Sequence, residues 1–111
     1  MTYSWKVIKL VTQDVVNADG ATLTDAVTRV QWIRTGTTDD GTKAADVVGW
    51  FEPSANNVAA SDFIAFADLT ENTVIGWLEA GINARRLSSY NNRIQEKINT
   101  IGTEEKAIPW S

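Results

Sequence analysis

The sequence predicts an α+β domain: a three- to four-stranded antiparallel sheet followed by two C-terminal amphipathic helices packed on one face. Three observations carry this. Apolar residues alternate with period two through the first half of the chain, loop signals fall between the alternating runs, and from Asp68 onward the apolar spacing changes to three and four.

The first strand spans Tyr3 to Val16, with Tyr3, Trp5 and Val7 on one face, Ile8 and Leu10 on the other, and Lys6 and Lys9 interrupting both. Asn17-Ala18-Asp19-Gly20 follows as a reversal, because Asn, Asp and Gly tolerate the left-handed backbone a turn needs. Val27 to Thr35 is a second strand, in which Thr28, Val30, Trp32 and Arg34 alternate with Val27, Arg29, Gln31 and Ile33. Asp40-Gly41 is a strong hairpin signal. It leads into a third strand, Ala44 to Phe51, with Val47, Gly49 and Phe51 opposite Val48 and Trp50. Pro53 ends this strand, since proline cannot donate to the ladder. Phe63-Ile64-Ala65-Phe66 is expected to add a short fourth strand.

Asp68-Leu69-Thr70-Glu71 has the spacing of a capping box, with Thr70 as the competing cap. The helix it opens carries Val74, Ile75, Leu78 and Ile82 on one side with Trp77 flanking them, and Gly81 is its expected stop. A second helix is expected from Leu87 or Ser88 to Ile101, presenting Leu87, Tyr90, Ile94, Ile98 and Ile101, with Gly102 after its end. No repeat, low-complexity segment or linker interrupts the chain. The expected organisation is one domain over residues 1–102 and a polar tail, 103–111, ending in Ile108-Pro109-Trp110.

Composition narrows the chemistry. The 111 residues (12.2 kDa) are 43% hydrophobic and 22% charged, and include five Trp but neither His nor Cys. A chain of this length buries about two-thirds of its unfolded surface, enough for a single core. Without His or Cys there is no Ser-His-Asp triad, thiolate nucleophile, zinc finger or disulfide. No run approaches the roughly 20 apolar residues of a membrane-spanning helix, and Met1 to Lys6 lack the features of a secretory signal, so a soluble, unexported protein is expected.

The net charge of −4 hides an uneven distribution. Residues 1–51 are nearly balanced, residues 52–81 carry five acidic and no basic groups, and residues 82–111 carry two more basic than acidic groups. A sequence pI near 4.6 argues against nucleic acid as a partner, because duplex binding needs a concentrated basic face. Arg85 and Arg86, with Arg93 and Lys97 on the following helix, form the one basic cluster; a solvated helix surface is its simpler reading and a contact surface its sharper one.

No catalytic constellation emerges. Asp39-Asp40, with Thr37, Thr38 and Thr42, is the best metal candidate by proximity, but ligands at the alternating positions of a calcium loop are out of register, and a turn explains the segment. The glycines form neither GxxxxGK[ST] nor GxGxxG. No cofactor, metal or catalytic residue is therefore assigned. Trp5, Trp32, Trp50, Trp77 and Trp110 could form a stacking ladder, although a small domain uses such side chains mainly for its core, with Trp32 and Trp50 beneath the helices or paired across strands. Trp110 beside Pro109 lies past the last periodic element, where it is expected to dock on its own domain or on a neighbouring subunit.

The run Phe63-Ile64-Ala65-Phe66-Ala67-Asp68-Leu69-Thr70-Glu71, then Val74-Ile75-Gly76-Trp77 and the terminal Ile108-Pro109-Trp110, resembles a group of small uncharacterised proteins encoded by tailed bacteriophages, notably marine cyanophages. Tyr3-Ser4-Trp5-Lys6-Val7, Trp32 and Thr35-Gly36-Thr37 are similar to the same group. The resemblance implies a phage context, in the virion or the host cytoplasm, and brings no activity or cofactor with it. The expected function is a non-catalytic structural or assembly protein contacting itself or other phage proteins. The alternative is a small module engaging a host protein, carbohydrate or single-stranded nucleic acid. Trp110, Pro109, Arg85, Arg86 and Arg93 are the candidate contact residues.

Overall fold

A computed structural model describes residues 1–54, 58–59, 61–102 and 109–110. The chain forms β1 (Thr2–Val16), β2 (Thr22–Thr37), β3 (Ala44–Phe51), α1 (Glu71–Gly81) and α2 (Ala84–Thr100), and the sheet order is β1-β2-β3, antiparallel throughout. The expected α+β architecture is present, with three strands.

β1 and β2 make a hairpin about 50 Å long at the usual rise per residue. Its tip is organised by Asn17, which is buried although polar and bonds through both ends of its amide. Its Oδ1 accepts from the N–H groups of Asp19 and Ala21 at 3.0 and 2.9 Å, and its Nδ2 donates to the Val58 carbonyl at 3.0 Å. Gly20, at φ +82°, completes the reversal. β2 begins at Thr22, five residues before the expected start, because its first half pairs with the far half of β1 across irregularities that break the alternation.

Those irregularities also re-aim a core residue. The register of β1 on β2 shifts between Val7 and Lys9, between Val11 and Thr12, and between Gln13 and Val15. The first shift leaves Ile8 unpaired, so Leu10 sits opposite Val30 and packs with Trp5 and Val7 against the core. Strict alternation puts Leu10 on the opposite face; the bulge corrects that. Bulges also suit an edge strand, where a regular ladder would invite further pairing. Beside the first bulge, the Val7 N–H donates to Glu71 Oε2 at 3.2 Å.

Both helices cover one face of the sheet. Val74, Leu78 and Ile82 from α1 and Ile94 and Ile98 from α2 close over Val27, Val30, Trp32 and Val47. Trp32, 1% exposed, is the centre. It meets Trp5 edge-on at 5.1 Å and Tyr90 at 4.7 Å, and its far ring lies on Gly49, where even a Cβ would come within 2.4 Å. Its Nε1 has no hydrogen-bond partner among the described residues. Trp50 lies on the opposite, open face and not beneath the helices; the Arg29 guanidinium stacks on it at 4.2 Å.

The helix boundaries differ from expectation for local reasons. Thr70 is the cap of α1, with the Thr73 N–H donating to its Oγ1 at 3.3 Å. Asp68 instead ends a single 3-10 turn, Phe66–Asp68, and Glu71 turns to β1. α2 begins at Ala84, three residues earlier than expected, because the Asn83 Oδ1 accepts from the Arg86 N–H at 2.9 Å. Phe63-Ile64-Ala65-Phe66 forms no strand. Ile64 and Phe66 are exposed, and the four-residue apolar run joins neither edge of the sheet and ends in the 3-10 turn.

Candidate functional site

One end of the domain holds a cleft of about 580 Å³, within the range of ligand-binding sites. Four separate parts of the chain wall it: the first half of β2, the end of β3 with the residues after it, Val58, Asp62, Phe63 and Ile64 with Leu69, and the C-terminal turn of α1. Val27, Phe51, Phe63, Ile64, Leu69 and Trp77 supply the apolar lining.

Asp25, Glu52 and Asp62 also line it, all three exposed, and among the described residues no lysine or arginine does. Asp25 has φ +51°, the single left-handed non-glycine residue among those described, a conformation that costs about 1 kcal/mol outside glycine. The Asp14 carboxylate steadies it by accepting from the Asp25 N–H at 3.0 Å. Glu52 is partly offset by Arg29, whose Nε stands 3.9 Å from its Oε1. Ala80 and Gly81 bring the C-terminal end of α1 to the cleft. That end carries the partial negative charge of the helix dipole, and the last turn has no basic side chain to compensate it. Gly81 has a packing reason as well, since a Cβ there would come within 2.2 Å of the Phe51 ring.

The sequence-level candidates lie elsewhere. Arg85 and Arg86 are exposed in the first turn of α2, just beyond Gly81, and outside the cleft lining. Arg86 and Arg93 are seven residues apart, which puts them on one face of the helix two turns apart, whereas Arg85 points away from that line. Arg93 lines a shallower groove of about 510 Å³ with Val47, Val48, Glu96, Lys97 and Thr100. Pro109 and Trp110 are exposed, Trp110 by 84%. The structure thus links Arg86 with Arg93 but does not gather the five candidates into one site. Residues 103–108, including Ile108, lie outside the described residues.

Asp40 is occupied by its own turn. Its Oδ1 accepts from the Thr38 hydroxyl at 2.6 Å, the Thr42 hydroxyl at 2.8 Å and the Thr42 N–H at 3.1 Å, while Gly41 takes φ +73°. These bonds, the Thr38 hydroxyl foremost, pull its pKa down to about 2. Among the described residues no group of three or more acidic side chains could hold a metal ion.

Arg34 is the one buried cation among them, 8% exposed. Its guanidinium lies 4.6 Å from the Trp5 ring and 4.9 Å from the Tyr3 ring, and its Nε donates to Asn91 Oδ1 at 2.8 Å. Burial lowers its pKa, opposed by Tyr3 and Glu79, yet a guanidinium stays charged in these surroundings. Sequence alternation puts Arg34 on the face of Trp32 without revealing that aromatic rings replace a carboxylate partner.

Fold and cleft together define a small α+β domain with one sheet face covered, one face open, and an acid-edged apolar cleft at one end. The chain belongs to the family described as a domain of unknown function, DUF7936, whose model matches residues 1–110. No curated protein and no solved structure matches it. Among the described residues no helix is long and apolar enough to cross a membrane.

Proposed function

We propose that the protein is a non-catalytic structural or assembly component of a tailed phage, working in the virion or the host cytoplasm through contacts with other copies or other phage proteins. The phage setting rests on the resemblance of residues 63–77 and the terminal Ile-Pro-Trp described above.

The contact role rests on the sheet face turned away from the helices. Ile33 and Val48 are paired neighbours there, as are Gln31 and Trp50, and Val48 and Trp50 are exposed by 51% and 39%. Ile8, left unpaired at the first bulge of β1, is exposed by 41%. Scattered surface apolar residues need no explanation, but apolar side chains shared between adjacent strands fit a surface that another protein covers.

Mass spectrometry of purified particles tests the virion role. The protein is expected among the particle proteins, and its absence from particles while abundant in infected cells overturns that role. Deleting Ile108 to Ser111 should lower the mass measured by light scattering or the melting temperature; no change in either removes the tail from the argument.

A second reading, a module that binds a ligand during infection, is favoured by the cleft.

A further inference from the structure

We propose that the cleft between the β3 end and α1 is a docking site for a short peptide segment of a partner protein, one that carries an apolar side chain between lysines or arginines. This deepens the contact role proposed above by assigning partner chemistry to one site.

Two independent features of the cleft favour a cation, and the charge pattern of the sequence agrees with them. Asp25, Glu52 and Asp62 come from three different parts of the chain and line the same cleft, and among the described residues only Glu52 has an ion-pair partner. The uncompensated C-terminal end of α1 adds partial negative charge to the same wall. The acidic block of residues 52–81 supplies two of the three carboxylates and no base anywhere in its length. The lining between them, with Phe51, Phe63 and Trp77, offers aromatic surface that takes both an apolar side chain and the stem and head of a lysine or arginine.

Charge distribution selects the occupant. A small monovalent amine pairs with one carboxylate, whereas carboxylates spread over three segments around an apolar interior match several cations flanking an apolar anchor on one ligand. The chain's own apolar tail is a poor fit, because Ile108-Pro109-Trp110 follows Glu104-Glu105 as well as Lys106. Arg85 and Arg86 stand outside the lining and leave its charge in place.

The test is a titration of the full chain, ¹⁵N-labelled, with acetyl-Lys-Leu-Arg-Ile-Lys-amide. Amide resonances of Asp25, Val27, Phe51, Trp77 and Gly81 are expected to shift together and saturate. Asp25→Asn with Asp62→Asn should weaken binding about five-fold, the size expected of two solvent-exposed ion pairs, and added salt should weaken the unmodified protein more than the variant. Both positions are exposed and asparagine tolerates the left-handed backbone at Asp25, so the variant tests charge without removing core contacts.

Equal binding of acetyl-Glu-Leu-Glu-Ile-Glu-amide, or of acetyl-Lys-Ser-Arg-Ser-Lys-amide, overturns the proposal, as do shifts confined to other residues. Saturation of the same resonances by tryptamine at the same affinity makes the cleft a small-amine site and overturns the peptide assignment. The same shifts produced by raising protein concentration alone assign the cleft to a second copy. Particle proteomics fails or succeeds independently of this titration, so loss of the phage role and loss of the peptide site are separately visible.

Discussion

Gly49→Ala is the sharpest test of how the core is built. The added Cβ would stand 2.4 Å from Cζ2 of Trp32, 2.9 Å from Cη2 and 3.0 Å from Cε2, where ordinary contact begins near 3.4 Å. The ring must therefore retreat by about 1 Å, and it has nowhere to go: it is 1% exposed, with Trp5 and Tyr90 against it and the sheet beneath. Forced overpacking of this kind costs about 3 kcal/mol at the upper end of its usual range. Replacing a strand glycine returns about 0.5–1 kcal/mol of backbone entropy. The net loss is about 2 kcal/mol, a fall in melting temperature of about 8 °C for a domain of this size.

Trp32→Phe shortens the side chain at the place of the clash. By itself it should cost about 2 kcal/mol through lost burial and the space left behind. Combined with Gly49→Ala, the two losses should total about 1.5 kcal/mol less than their sum, because the alanine then fills volume the indole vacated. Urea denaturation of the four proteins, followed by far-ultraviolet circular dichroism, measures the cycle. A Gly49→Ala protein within 0.5 kcal/mol of the parent, or strict additivity with Trp32→Phe, refutes the packing argument.

Arg34 and Asn91 give an asymmetric pair: Arg34→Met removes the charge and its desolvation together and should change stability by less than about 1 kcal/mol, whereas Asn91→Leu strips the buried guanidinium of its hydrogen bond and should cost about 2 kcal/mol in urea titrations. Asn17→Ala leaves the Val58 carbonyl and two turn N–H groups without their partner and should cost about 2 kcal/mol; hydrogen exchange should quicken in the hairpin tip, with the sheet centre protected as before. The Asp40 carboxyl, depressed to about 2, contributes turn stability that is present above the ordinary aspartate value near 3.8 and lost as pH falls through about 2; a carbon-13 titration of the carboxyl locates that midpoint, and Asp40→Asn should remove the pH dependence of the turn's amide shifts between pH 4 and 2.

The architecture was legible because its signals are local. Asp40-Gly41 sits at the β2–β3 turn, Thr70 caps α1, and Ile94 and Ile98 point inward from α2 as their spacing requires. The bulges were not legible, since an extra residue in one strand is defined only by its partner, and Leu10 changes face in consequence. Asn83 was a readable cap, immediately before Ala84-Arg85-Arg86, that the apolar spacing from Leu87 overshadowed. The cleft had one trace in the sequence, the run of residues 52–81 without a base. Its remaining walls, Asp25, Val27 and Phe51, come from β2 and β3, and Asp25 lies 56 residues before Gly81 at the other end of the lining, so only the folded sheet and α1 bring them together.

Recognition by such a cleft makes fewer chemical demands than catalysis does. A chain without His or Cys has few side chains able to move a proton or form a covalent bond near neutral pH, but recognition needs neither. It needs apolar area to exclude water, fixed charge to choose a sign, and backbone rigid enough to hold both in register. The cleft has the first in Phe51 and Trp77, the second in Asp25, Glu52 and Asp62, and the third in the contact of Gly81 with Phe51 and in the Asn17 clamp on Val58. If Asn17→Ala leaves the sheet intact yet weakens the basic peptide as much as Asp25→Asn with Asp62→Asn does, wall rigidity contributes as much as charge. If the peptide binds Asn17→Ala unchanged, the Val58 segment is not a working wall and the site contracts to β2, the β3 end and α1.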